Sequence, residues 1–207
     1  GDYVEALDRT PGAANAAFLI GHSTLRLGAM SDVDRPANTS EIDAMAKVVE
    51  EAMQSGATGF STGLIYAPNK AAPTDEIVAI AEVAGDKGGI YVTHMRNEAA
   101  EIDKSLDETF EIGRRADLPV IVSHHKCAGK ENHGHSVETL ARFDKALKEQ
   151  KVGLDVYPYT AGSTVIMVDM VDAAERVIIT WSETRPEFSG RDLAEIAAEL
   201  GCSRRDA

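Results

Sequence analysis

Cysteine is scarce in these 207 residues. Only Cys127 and Cys202 occur, which excludes a disulfide framework and suits a reducing, cytoplasmic compartment. Long hydrophobic runs are missing too: none approaches the roughly 20 residues a bilayer-spanning helix needs. The opening residues Gly-Asp-Tyr-Val-Glu lack the basic and apolar regions of a signal peptide, which leaves open only a leader on a longer parent chain. Basic residues are outnumbered, 21 Lys and Arg against 34 Asp and Glu, for a formal net charge of −13. Such a surface repels a phosphate backbone, and no basic cluster or aromatic-basic interleaving offsets it, so neither nucleic acid nor a membrane is an expected partner. What is present is ordinary: 43% hydrophobic and 27% charged residues, enough for one sizeable core.

The hydrophobic pattern alternates between strand and helix. Apolar runs at 16–21, 57–61, 88–94, 118–124 and 152–157 read as strands. His22 and a polar loop to Asn38 follow the first run. Between the others lie helical faces at three-four spacing: Ile42, Met45, Ala46, Val49, Ala52 and Met53; Ile77, Ile80, Ala81 and Ala84; Ala99, Ile102, Leu106 and Phe110; and Val137, Leu140, Ala141 and Leu147. Gly56 and Gly88 stand where helices stop, and Thr74 and Ser136 where caps are expected. Strict alternation argues for parallel strands joined by right-handed crossovers, an α/β architecture. Past Tyr159 the pattern gives way to apolar runs at 165–171 and 177–181. An amphipathic stretch, 191–200, follows, with Ser189 as its expected cap and Gly201 as its stop. We therefore expect a domain over 1–160, a small appended or inserted unit over 161–207, and a chain that ends inside a larger fold.

Two of the strands finish on histidine. His94 closes Gly-Gly-Ile-Tyr-Val-Thr-His and His124 closes Leu-Pro-Val-Ile-Val-Ser-His, 30 residues apart, the length of one strand-helix unit. Equivalent ends of neighbouring parallel strands would bring the imidazoles together, a placement that suits a divalent metal such as Zn2+. His125 points to the other face of its strand. Cys127 admits two roles, soft ligand or small buried thiol, of which the second is the commoner. His133 and His135 lie in a Gly/Asn-rich loop; His135 reads as solvated, and an active-site contact stays open for His133. Lys126, Arg96 and Tyr157 leave strand ends on the same side. Cations there can hold a carboxylate and a phenol can donate to an oxyanion, although Arg96 could equally pair with Glu98 or Asp155.

Several motifs carry a resemblance. Gly21-His22-Ser23-Thr24-Leu25-Arg26, Ser61-Thr62-Gly63-Leu64-Ile65-Tyr66-Ala67-Pro68, Thr93-His94-Met95-Arg96-Asn97-Glu98, Ser123-His124-His125-Lys126 and Asp155-Val156-Tyr157-Pro158-Tyr159 together resemble the N-acyl-D-amino-acid deacylases (D-aminoacylases) of the amidohydrolase superfamily. The resemblance implies a metal-dependent (β/α)8 TIM barrel, of which this chain covers about strands three to seven, with residues after Ser163 as a lid-like insertion. It implies one or two zinc ions, with His94 and His124 as ligands. It implies an N-acyl-D-amino acid as substrate, contacted by Lys126 and Ser163 near its carboxylate and by Tyr157 near the scissile carbonyl. Arg96 and Tyr66 are further candidate substrate contacts. The family's His-x-His on strand one, its Cys on strand two and its general-base Asp on strand eight have no counterpart here, so these 207 residues alone are expected to be inactive. Exposed strand edges would favour self-association. Two other readings stand beside this one: a related enzyme acting on a cyclic amide or on N-acyl-D-glutamate or aspartate, and a non-catalytic domain with structural histidines.

Overall fold

The computed structural model describes residues 2–10 and 12–207. Helix α1 (Asp2–Arg9) precedes a regular series: β1 (Leu19–Gly21), α2 (His22–Ala29), α3 (Thr39–Gln54), β2 (Gly59–Gly63), α4 (Ala67–Lys70), α5 (Thr74–Gly85), β3 (Ile90–His94), α6 (Ile102–Arg115), β4 (Val120–Val122), α7 (Ser136–Ala146) and β5 (Val152–Leu154). The five strands form one parallel sheet in sequential order β1-β2-β3-β4-β5, the expected consequence of helical crossovers between neighbouring strands. The α/β architecture read from the hydrophobic pattern is the one observed. Among the described residues no helix is long and apolar enough to cross a membrane.

One face of the sheet packs on helices. Met45 and Val49 from α3 and Ile77, Ile80, Ala81 and Ala84 from α5 bury against Phe60, Tyr91 and Val120, each large side chain contributing about 1.5–3 kcal/mol by leaving water. A second cluster joins Ile102, Leu106 and Phe110 of α6 to Val122, Met95 and Phe143. Alternation therefore assigns Phe60, Thr62, Tyr91, Thr93, Val120 and Val122 to the helix side and Val92 and His94 to the other face. Thr62 Oγ1 lies 2.8 Å from both the Tyr91 phenol and Thr93 Oγ1. Burial pushes the Tyr91 phenol up to about 12, so it stays protonated within that network.

A buried charged cluster ties α2 to α5. Glu76 Oε1 accepts from Arg26 and from His22 Nε2 at 3.2 Å, and Oε2 accepts from the Ala37 N–H at 2.9 Å. Arg26 Nη2 also donates to the carbonyls of Val33 (2.8 Å) and Arg35 (2.6 Å). All three side chains are fully buried.

The described residues divide into two compact units between Tyr157 and Pro158, with Gly129–Glu131 grouped with the second. That unit pairs β6 (Ile178–Ile179) antiparallel with β7 (Arg191–Asp192) and follows with α8 (Leu193–Leu200). Val171, Ile179, Phe188, Leu193 and Ile196 form its core. Gly201 ends α8 at φ 69°, a conformation that glycine adopts without the Cβ penalty.

Several local expectations are corrected. Residues 22–29 are helix α2, not loop, because Leu25 and Arg26 bury on one side of it. The cap position before α5 is held by Pro73, and the Thr74 hydroxyl donates instead to Glu108 Oε1 at 2.9 Å. Ser136 is the first residue of α7, with His135 at the cap position. Asp192, not Ser189, caps α8 by accepting from the Ala194 N–H, since residues 190–192 are still engaged with β6. The inward face of α7 is Thr139, Phe143 and Ala146, whereas Val137, Leu140 and Leu147 are 72%, 47% and 55% exposed. The buried stripe includes a threonine and the exposed one is aliphatic, so hydrophobic spacing selects the wrong side.

Candidate metal centre

His94 is the last residue of β3 and lies in register with Gly63 on β2. The absence of a Cβ at Gly63 matters here: one would sit 2.8 Å from the Tyr66 ring, and that ring packs against His94 at 5.1 Å between centroids. On the other side, β3 and β4 pair Thr93 with Val122. Continuing that register sets Ser123, not His124, beside His94. The two histidines are therefore not at equivalent positions, and the expected match is off by one residue.

Backbone conformation makes up the difference. His124 has φ 43°, a left-handed value that costs a non-glycine residue about 1 kcal/mol or more and persists only when its surroundings hold it. Asp155 does the holding. Its Oδ1 accepts the His124 N–H at 2.6 Å, its Oδ2 accepts the Ser123 hydroxyl at 3.2 Å, and its carbonyl accepts the His125 N–H at 2.8 Å. Val122 and His125, three residues apart, consequently both face the helices, with the His125 ring at 2.9 Å from Thr139 Oγ1 and edge-on to Phe143. His124 is thereby turned toward the face that carries His94.

There the rings meet edge to face, with Nδ1 of His94 2.9 Å from Nε2 of His124. Glu98 completes a trio with them whose candidate ligand atoms all lie within 4.8 Å of one another. The loop after β3 delivers it: Asn97 Oδ1 accepts from the Ala99 and Glu101 N–H groups, and the Glu98 carbonyl accepts from the Ala128 N–H at 2.7 Å. Glu98 Oε1 lies 3.1 Å from His124 Nδ1, and Oε2 accepts from Lys126 Nζ at 2.5 Å. Lys126 Nζ is also 2.9 Å from His124 Nδ1 and 5.7 Å from the centre of the Tyr157 ring.

The donor set fits a divalent metal. Nε2 of His94 is buried without a hydrogen-bond partner, an unusual state for a native polar atom. Burial holds the His94 imidazole below its ordinary value despite the opposing pull of Glu98, so it is neutral, the form that ligates. Two imidazoles and a carboxylate are common zinc ligands.

Other candidates lie elsewhere. The Arg96 guanidinium makes a two-pronged bond to Glu108 (2.9 and 2.8 Å) and donates to the carbonyls of Lys70 and Ala72. Its partner is thus Glu108, neither Glu98 nor Asp155, because the side chain runs back toward α6. Cys127 is half-buried, its thiol pushed up by burial, with Sγ 4.0 Å from Thr139; it stands outside the metal trio. His133 is exposed, and His135 pairs with Asp103 at 3.2 Å. Ser163 belongs to the second unit and is exposed. Sequence reading missed Glu98 and Asp155 as working residues, although both stand within the motifs that carry the resemblance. Their signal was a carboxylate four residues after one histidine and another at the end of the next strand.

No family model matches the chain. Over 205 residues it is 52% identical to the D-aminoacylase of Alcaligenes xylosoxydans xylosoxydans, a match that covers 99% of this chain and 42% of that protein. The chain is homologous to the D-aminoacylase family. A crystal structure of D-aminoacylase superposes with TM-score 0.95 at 51% identity, over 99% of this chain and 43% of that one. So does the N-acyl-D-glutamate deacylase of Bordetella bronchiseptica complexed with zinc and a phosphonate mimic of the tetrahedral intermediate, with TM-score 0.95 at 39% identity and the same coverage. The chain thus spans about two fifths of the length of the family members it matches.

Proposed function

We propose that this chain supplies metal-binding and carboxylate-binding residues of an enzyme that hydrolyses the amide bond of N-acyl-D-amino acids, and that its five strands form about the third to seventh of a (β/α)8 barrel. The observation that carries the reading is the meeting of two imidazoles, a carboxylate and an ammonium at the C-terminal ends of adjacent parallel strands, the end where such barrels do their chemistry. Homology to D-aminoacylase across 99% of the chain adds the substrate class.

His94 and His124 would hold a zinc ion, with Glu98 bonded to the far nitrogen of the His124 ring. When bound, zinc supplies Lewis acidity, polarising the scissile carbonyl and acidifying water. The chain's own residues do the positioning. Lys126 takes the substrate carboxylate, and the Tyr157 phenol donates to the oxygen of the scissile carbonyl as charge builds there. Tyr66, packed on His94, walls one side of the site. Arg96, bonded to Glu108, holds the loop after β3 in place and so acts on the substrate only through that loop. The general base would be an aspartate outside these residues. Two free cysteines suit a cytoplasmic setting.

Zinc titration into the 207-residue protein tests the reading. Wild type is expected to bind zinc, and His94→Asn and His124→Asn to lose it; undiminished binding in both variants would refute the assignment. Homology to the N-acyl-D-glutamate deacylase supports a second reading in which the substrate side chain is acidic. Comparing turnover of N-acetyl-D-leucine with that of N-acetyl-D-glutamate by the complete enzyme separates the two.

A further inference from the structure

The Nδ1 atom of His124 has two suitors of opposite kind. Glu98 Oε1 lies 3.1 Å away and Lys126 Nζ 2.9 Å away, while Lys126 and Glu98 themselves meet at 2.5 Å. A carboxylate offers only lone pairs and an ammonium only protons. One ring nitrogen cannot answer both at once. If Nδ1 carries the proton it donates to Glu98, and Nε2 presents a lone pair. If Nδ1 is bare it accepts from Lys126, and the proton sits on Nε2, where it faces His94 Nδ1 and blocks ligation.

We propose that Glu98 is a positioning residue which sets the tautomer of His124, and that Lys126 competes with it, so that drawing Lys126 onto a carboxylate ligand readies His124 for a metal. This rests on the zinc and carboxylate roles proposed for the same site. Glu98 is well placed to do so, because it is 9% exposed, its two oxygens are divided between the ring and the ammonium, and its loop is pinned at Asn97 and Ala128. Carboxylates behind metal-bound histidines commonly fix the ring in this way, and their loss typically costs about 10–100-fold in metal affinity. Here the same oxygens also hold the group that would receive the substrate, so the two binding events share one carboxylate. Linkage then requires reciprocity: the carboxylate ligand tightens metal binding by the same factor as the metal tightens the carboxylate.

The ring-nitrogen shifts of His124, read by long-range 15N correlation spectroscopy on the metal-free 207-residue protein, report the tautomer directly. Lys126→Met is expected to give the Nδ1–H form and Glu98→Ala the Nε2–H form. Glu98→Gln, which keeps the shape of the side chain, is expected to shift part of the population toward Nε2–H, and it decides the question if the alanine variant does not fold. Adding N-acetyl-D-leucine should move wild type toward Nδ1–H and leave Lys126→Met unmoved. Zinc titration should show affinity weakened about tenfold or more in Glu98→Ala. An unchanged His124 tautomer in Lys126→Met and in both Glu98 variants would overturn the proposal. Loss of zinc binding from wild type with the tautomer pattern intact would overturn the metal reading instead and leave the role of Glu98 standing.

Discussion

Glu76 and Glu98 occupy parallel situations with opposite outcomes. Each is a glutamate beside a histidine that follows a β-strand, and each also meets a cation: Arg26 for one, Lys126 for the other. Around Glu76 the side chains of His22, Arg26 and Glu76 are 0% exposed, and both carboxylate oxygens are satisfied by fixed donors, one of them the Ala37 backbone. Around Glu98 the side chains of His94, His124 and Lys126 are 17%, 31% and 27% exposed, and His94 Nε2 has no hydrogen-bond partner. The cation differs too. Arginine's fork reaches a carboxylate and two carbonyls at once, whereas lysine's ammonium is a point charge on a mobile stem. The closed cluster can only hold α2 against α5; the open one can exchange a partner for a ligand.

Mutation of the closed cluster should therefore show in stability. Glu76→Ala leaves Arg26 as an uncompensated buried charge and is expected to cost about 3–5 kcal/mol in urea unfolding; a cost near zero would erase the contrast between the two clusters. Acid should attack the same place. Burial holds His22 below its ordinary 6.5 despite the bond to Glu76, so its contribution is complete above about 6.5 and is lost as pH falls through its folded value. Glu76 extends the loss to lower pH: burial works to raise its pKa, but the bonds from His22 and Arg26 bring it below 4.5. Melting temperatures from pH 7 to 5 should fall, and His22→Gln should flatten that slope; an identical slope in the variant would count against the assignment.

Asp155→Ala tests what holds the open cluster. It removes the acceptors of the His124 N–H and the Ser123 hydroxyl and should cost about 2 kcal/mol, with weaker zinc binding as His124 relaxes from its left-handed backbone. Unaltered zinc affinity would separate that conformation from ligation. A smaller effect, about 1 kcal/mol, is expected for Asn38→Ala, which removes the cap of α3, where Asn38 Oδ1 accepts from Glu41 N–H and Glu41 answers the Asn38 N–H. Smallest of all is the stability change for His94→Asn, within about 0.5 kcal/mol, because that side chain holds little of the fold even though it is central to the metal reading.

How far the sequence was legible varies by element. The inward faces of α3 and α5 were readable because Met45, Val49, Ile77, Ile80, Ala81 and Ala84 recur at three-four spacing, and all are buried. In α7 the same rule selected Val137, Leu140, Ala141 and Leu147, which face solvent, while Thr139 lies buried against His125. A threonine inside and four aliphatics outside defeat a hydrophobicity criterion. Helix α2 escaped notice because its buried side includes His22 and Arg26, residues that composition assigns to the surface until a partner such as Glu76 is found 50 positions away.

The same boundary runs through the metal centre. Sequence by itself pointed to His94 and His124 at the C-terminal ends of neighbouring parallel strands, because apolar runs spaced one strand-helix unit apart usually bury as adjacent strands. It did not determine that they meet. Strand register sets Ser123 beside His94, and alternation from Val122 would send the next imidazole among the helices. Only the tertiary structure, through the left-handed backbone at His124 held by Asp155 on the next strand, turns that ring to its partner. A carboxylate 31 residues away supplies the bonds that stabilise this conformation, and no local pattern records it.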